Sequence, residues 1–202
     1  MVLNGRAKKY RISEAVEQNV RRKAKEMGYQ PNSLAQGLRT GKTRTIGLIL
    51  GDVSNPFFSK IASCVEKEAA RYNYQVMFAS SDESSEKFER AAQMFLSKQV
   101  DGLIVAPTEN SEKIIMDIVK NRKPVVLIDR IVKEVPVDYV QIDNKDATYR
   151  LANLIIDQGF KKIAYMTVTH TLSNFQERYL GFKQALDEHN IPFDSSLFYE
   201  VD

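Results

Sequence analysis

Ile46-Gly47-Leu48-Ile49-Leu50-Gly51-Asp52-Val53-Ser54-Asn55-Pro56-Phe57-Phe58 opens with a short apolar run and passes through turn formers into an aromatic pair. A run of this length bounded by Gly, Asp and Pro reads as a buried strand leading into a helix. Similar runs follow at 75–79, 102–106, 125–128, 139–142 and 162–168. Between most of them apolar residues recur at helical spacing. Ile61, Val65 and Ala69 form one stripe, and Phe88, Ala92 and Phe95 another. Ile114, Ile115, Ile118 and Val119 form a third, and Ala147, Leu151, Leu154 and Ile155 a fourth. The first three strands start 29 and 27 residues apart, the length of a βα unit. The pattern predicts an α/β fold, a doubly wound parallel sheet covered by helices.

Upstream of this body the charge changes sign. Residues 1–45 carry eleven Lys/Arg against three Asp/Glu, whereas 46–202 carry eighteen against twenty-three, within a total of +3. A basic head on an α/β body suggests a nucleic-acid tether on a small-molecule sensor. Ser13 is placed to cap a helix with Glu14 in its first turn and Val16, Val20, Ala24 and Met27 on one face, stopped by Gly28. Its Arg21, Arg22, Lys23 and Lys25 fit either a solvated face or a phosphate contact. Asn32 can cap a second, short helix over 33–39, with Leu34 and Leu38 one turn apart. Seven residues that include Gly37 do not stay helical alone in water, so this segment needs a partner.

The single cysteine, Cys64, excludes an internal disulfide and a multi-cysteine metal site. No apolar run approaches the ~20 residues of a membrane span. The first residues lack the apolar core of a secretion signal, so a cytoplasmic location is expected.

In an open parallel sheet, ligands bind beyond the carboxyl ends of the strands. The residues there are Asp52 to Phe58, Ser80-Ser81-Asp82, Pro107-Thr108, Asp129-Arg130 and Asp143-Asn144. Carboxylates, amides, a guanidinium and an aromatic pair suit a polyol or sugar, with Phe57 or Phe58 stacked on the apolar ring face. Plainer readings stand beside this one. The Asp and Asn residues can cap helices or turns, one of the two phenylalanines can be core, and Asp129-Arg130 can be a local ion pair. The chain carries no Gly-x-Gly-x-x-Gly after the first strand, no P-loop and no Gly-x-Ser-x-Gly elbow. His170 and His189 lack neighbours at metal-ligand spacing. Neither an enzyme nor a bound cofactor or metal is expected.

These residues also fall into an ordered set. The head supplies Val2-Leu3-Asn4-Gly5, Tyr10-Arg-Ile-Ser-Glu14 and Gly28-Tyr-Gln-Pro-Asn32, and the junction supplies Leu38-Arg-Thr-Gly-Lys-Thr-Arg-Thr-Ile-Gly47. The body adds Asp52-x-Ser-Asn-Pro-Phe-Phe58, Asp101-Gly102, Leu127-Ile-Asp-Arg130, Asp143-Asn144 and Arg178-x-x-Gly-Phe182. Together they resemble the lactose-repressor family of bacterial transcription regulators over essentially the whole chain. The resemblance implies a sensor of the periplasmic-binding-protein type behind a helix-turn-helix remnant and a hinge helix. The corresponding divisions are 1–30 for the DNA-binding part, 31–45 for the hinge, 46–160 for the first sensor subdomain and 161–202 for the start of the second. It also implies a homodimer on operator DNA, with no membrane association.

By the same resemblance, Asn55, Phe57 or Phe58, Asp129, Arg130 and Arg178 contact a small effector, expected to be a monosaccharide. Asn4, Tyr29, Asn32, Ala35, Leu38 and Arg39 serve DNA binding, Leu38 as a wedge in the minor groove. Gln36-Gly37 departs from the family's usual Arg followed by a small residue. The family carries two further helices before Val2 and continues well past Asp202, so an internal piece of a regulator is expected. A stand-alone sugar-binding protein without DNA binding is the alternative.

Overall fold

The computed structural model describes residues 2–4, 7–29, 41–168 and 171–201. The chain divides into two compact units, Met1–Arg44 and Thr45–Asp202.

The first unit contains 3-10 turns at Val2–Asn4 and Lys8–Tyr10, followed by helix α1 (Glu14–Glu26). Ser13 Oγ accepts from Val16 N, as a helix cap should. The helix stops at Gly28, whose φ of +64° is left-handed. Glu17 pairs with Arg21, and Glu26 with Arg22 and Lys23, so much of the basic face is engaged along the helix itself. The expected apolar face differs from the observation: α1 buries none of its residues, and Val16, Val20 and Met27 are exposed. Among the described residues of this unit, one short helix and two single turns offer too little surface to cover it. The second helix expected at 33–39 lies outside the described residues, as do Asn32, Ala35, Leu38 and Arg39.

In the second unit, β1 (Thr45–Leu50), β2 (Gln75–Ser80), β3 (Gly102–Val105), β4 (Val125–Ile128) and β5 (Asp138–Val140) form one sheet in the order β2-β1-β3-β4-β5. Every pairing is parallel. Helices α2 (Pro56–Arg71), α3 (Ser85–Ser97), α4 (Glu112–Lys120) and α5 (Asn144–Asp157) follow β1, β2, β3 and β5. Because side chains alternate along a strand, the central β1 feeds two cores. Leu48 and Leu50 pack with Phe58 and Ile61 of α2, while Ile49 packs with Phe88 and Phe95 of α3 and Ile115 and Ile118 of α4. Gly47 belongs to the second face: a Cβ there would stand 2.6 Å from the Phe95 ring.

The sixth expected strand narrows to β6 (Tyr165–Thr167) and does not join this sheet. It pairs with β7 (Phe198–Glu200), which no sequence pattern announced. Between them α6 (Ser173–Glu188) packs on α5 around Ala152, Phe182, Ala185 and Leu186. Here two apolar stripes shift. On α5 Leu151 and Leu154 are exposed, and the buried apolar position is Ala152, packed with residues of α6. On α6 Phe175 and Tyr179 are only half-buried, while Asn174, Gly181 and Ala185 are buried with Phe182 and Leu186. The reason is the close approach of the two helices. A Cβ on Gly181 would collide with the Lys145 carbonyl oxygen and stand 3.0 Å from Tyr149 N.

Candidate functional site

The loops after β1, β2, β3 and β4 and the first turns of α6 supply the polar residues at the carboxyl end of the sheet. After β1, Asp52 accepts from the backbone and hydroxyl of Ser54, and Asn55 Oδ1 accepts from Phe57 N at 2.9 Å. Asn55 therefore caps α2. The alternative left open for the aromatic pair is resolved by burial. Phe58 is 3% exposed and belongs to the core, whereas Phe57 is 47% exposed with its ring edge-on to Phe58.

Arg130 is the most enclosed charge of the rim, at 5% exposure. Its Nη1 and Nη2 donate to the two carboxylate oxygens of Glu83 at 2.6 and 2.8 Å. Nη1 also donates to the Pro107 carbonyl at 3.0 Å, and Nε stands 3.5 Å from Asp129 Oδ2. The guanidinium carbon lies 5.8 Å from the centre of the Phe58 ring. Asp129 adopts a left-handed backbone, φ +65°, and its Oδ2 accepts from Asn174 Nδ2 at 3.1 Å. Burial raises the Asp129 pKa above the ordinary carboxylate value, against the opposing pull of Arg130 and Arg178.

Arg178 stands one helical turn after Asn174 and donates through Nε to Asn144 Oδ1 at 2.9 Å. Asn144 is almost fully buried, and its amide donates back to the Ile142 carbonyl. The close α5–α6 packing at Gly181 thus explains why glycine follows Arg178 three residues later: it brings the arginine's helix against the start of α5. Ser173 Oγ accepts from Ile131 N at 2.8 Å and ties α6 to the loop after β4. A cavity of about 240 Å³ lies here, lined by Pro107, Thr108, Arg130, Ile131 and Ser173 among others. The Thr108 hydroxyl in its wall is buried without a hydrogen-bond partner.

Asp129, Arg130 and Arg178 therefore come together, from the end of one strand and from a helix more than forty residues later. Asn55 closes the first loop and Phe57 lies in the first turn of α2, their contacts being with each other and with Phe58. Asp143 caps α5 through Asp146 N, the plainer of its two readings. Sequence reasoning missed Glu83, one residue past the rim segment Ser80–Asp82, and Asn174, which shares a face with Arg178. Both were legible as neighbours of residues already singled out. Tyr29 is exposed in the head, and Asn4 ends its first 3-10 turn.

Residues 43–202 match the family described as periplasmic binding proteins and sugar binding domain of LacI family. The chain belongs to the LacI family. Among LacI-family relatives, catabolite control protein A of Priestia megaterium is 31% identical over 95% of this chain and 58% of its own length. The ribose operon repressor of Halalkalibacterium halodurans is 32% identical over 91% of this chain (192 and 188 residues align in the two cases) and 54% of its own. The chain thus spans little more than half the length of these relatives. The crystal structure of transcription regulator CcpA of Lactococcus lactis superposes with a TM-score of 0.71 at 37% identity, covering 78% of this chain and 58% of that one. That of the Cra transcriptional dual regulator of Pseudomonas putida, in complex with fructose 1-phosphate, gives 0.71 at 29% identity, covering 78% and 57%. The LacI-family relatives are transcription regulators, and the α/β sensor architecture is the one they share. No helix among the described residues is long and apolar enough to cross a membrane.

Proposed function

We propose that this chain is the sensing and hinge-bearing portion of a repressor-type, DNA-binding transcription regulator whose effector is a small monosaccharide. The observation that carries this reading is the convergence of Asp129, Asn174, Asn144 and Arg178 on one buried, hydrogen-bonded rim at the carboxyl ends of the strands. Fixed donors and acceptors of both kinds, with the exposed ring of Phe57 in the first turn of the neighbouring α2, suit a hydroxyl-rich neutral ring. Relatives named for sugar operons support the effector class.

The basic head, the divisions 1–30, 31–45, 46–160 and 161–202, and pairing as a homodimer on operator DNA belong to the same proposal. Asn55, Phe57, Asp129, Arg130 and Arg178 are its effector residues, and Asn4, Tyr29, Asn32, Ala35, Leu38 and Arg39 its DNA residues. The test has two arms. Calorimetry with a monosaccharide panel should find one saturable ligand, and fluorescence anisotropy with an operator-like duplex should show binding that falls steeply as salt rises. A panel on which only nucleobases bind would refute the effector class, and salt-independent or absent duplex binding would refute the DNA arm.

A further inference from the structure

Arg130 is one of the residues lining the 240 Å³ cavity, and its guanidinium fork is already filled by an acid of the same chain. Bidentate pairing of this kind is the geometry with which arginine takes a carboxylate or a phosphate. The two partners are unequal. The arginine side chain is 6% exposed and anchored on the Pro107 carbonyl, whereas the glutamate side chain is 45% exposed. Arg130 is therefore the fixed seat and Glu83 the removable occupant.

The backbone that delivers Glu83 is specialised for that task. Asp82 and Glu83 are consecutive left-handed residues, φ +46° and +58°, a conformation that L side chains adopt reluctantly. Asp82 is pinned by Ser80 Oγ at 2.6 Å and Lys87 Nζ at 2.5 Å, and Glu83 N donates to the Gly51 carbonyl. The glutamate carboxylate lies where a Cβ of residue 51 would be, so Gly51 is required for the pair to close. Around the cleft the charges of Glu83 and Asp129 balance those of Arg130 and Arg178.

We propose that Glu83 is a built-in stand-in for an anion on Arg130, and that it restricts this cleft to uncharged effectors. The inference deepens the sugar reading given above and rests on it for the identity of the effector. Without Glu83 the rim carries one uncompensated positive charge on a preformed fork, beside the unpartnered Thr108 hydroxyl, and a phosphorylated sugar becomes the better ligand.

The chain, its Glu83→Gln variant and the double variant Glu83→Gln/Arg130→Met are compared by thermal unfolding in phosphate and in chloride at equal ionic strength, and by calorimetry with glucose and glucose 6-phosphate. Glu83→Gln should gain a saturable stabilisation by inorganic phosphate that the unaltered chain and the double variant lack. Its preference for glucose 6-phosphate over glucose should rise by about tenfold or more. Gly51→Ala evicts the carboxylate sterically with both charged side chains intact, and it should respond to phosphate as Glu83→Gln does. A phosphate response equal in the unaltered chain and Glu83→Gln, or absent from both Glu83→Gln and Gly51→Ala, overturns the proposal. If Glu83→Gln responds to phosphate while no sugar binds the unaltered chain, the anion seat stands and the sugar reading fails. If glucose binds the unaltered chain and neither variant gains a phosphate response, the sugar reading stands and the seat fails.

Discussion

Replacing Gly181 by alanine tests the packing that places Arg178. On an open helix face the change would stabilise by about 1 kcal/mol through helix propensity. Here the new methyl meets backbone rather than a side chain that can swing aside. It collides with the Lys145 carbonyl oxygen and stands 3.0 Å from both Lys145 C and Tyr149 N. An ordinary carbon–oxygen contact is about 3.3–3.6 Å, so α5 and α6 must part locally by roughly 1 Å. Overpacking between rigid elements costs about 1–3 kcal/mol, and backbone against backbone belongs at the upper end. With propensity subtracted, a net loss of roughly 2 kcal/mol follows, about thirtyfold in the unfolding equilibrium. For a unit of this size that lowers Tm by roughly 4–8 °C. The parting also stretches the 2.9 Å bond from Arg178 Nε to Asn144 Oδ1, so effector affinity should fall together with stability. Urea denaturation of the chain and of Gly181→Ala measures the difference. Gly102→Ala, whose methyl would meet only Pro124 at 3.4 Å, is the control and should change little. A Gly181→Ala chain as stable as the parent would refute the close-approach argument.

The two phenylalanines after β1 should separate cleanly. Phe58→Ala empties a buried core position and should cost about 3–5 kcal/mol in denaturant melts. Phe57→Ala should stay within about 0.5 kcal/mol of the parent yet weaken sugar binding, and equal sugar affinity would remove Phe57 from the site. Burial raises the Asp129 pKa, so the folded chain keeps a proton that the unfolded chain has already released. Stability from this group is therefore greatest in acid and falls as pH rises from the ordinary carboxylate value through the raised one. Relative to Asp129→Asn, the parent should lose ground across that window in melts at stepped pH, and a gain would contradict the desolvation argument. In a regulator with its whole DNA-binding head, Leu38→Ala should weaken specific operator binding by roughly 1–3 kcal/mol at unchanged effector affinity, as read by anisotropy. Unchanged operator affinity would end the wedge role.

The α/β class and the strands β1, β3 and β4 were legible because the buried strands of a parallel sheet are written as continuous apolar runs, and the edge strand β2, though largely exposed, carries the same kind of run. Phase along the helices was harder to read. The α5 stripe pointed to Leu151 and Leu154, but the partner of α5 is α6, and a helix's buried face follows its neighbour as much as its own pattern. The rim residues Asp129 and Arg130 followed from one rule about where strands end. Their partners did not: Glu83 and Asn174 lie more than forty residues away on either side, and only the winding of the chain joins them.

By itself the sequence determined the basic head, the βα rhythm and the rim segments, since charge, periodicity and turn chemistry are local properties of a chain. Only the tertiary structure decided that Phe58 is core and Phe57 is not. It likewise decided that β6 leaves the main sheet for β7, and that the Arg130 fork is already occupied by an acid. Those outcomes depend on which surfaces meet, and no local pattern encodes a meeting between segments this far apart.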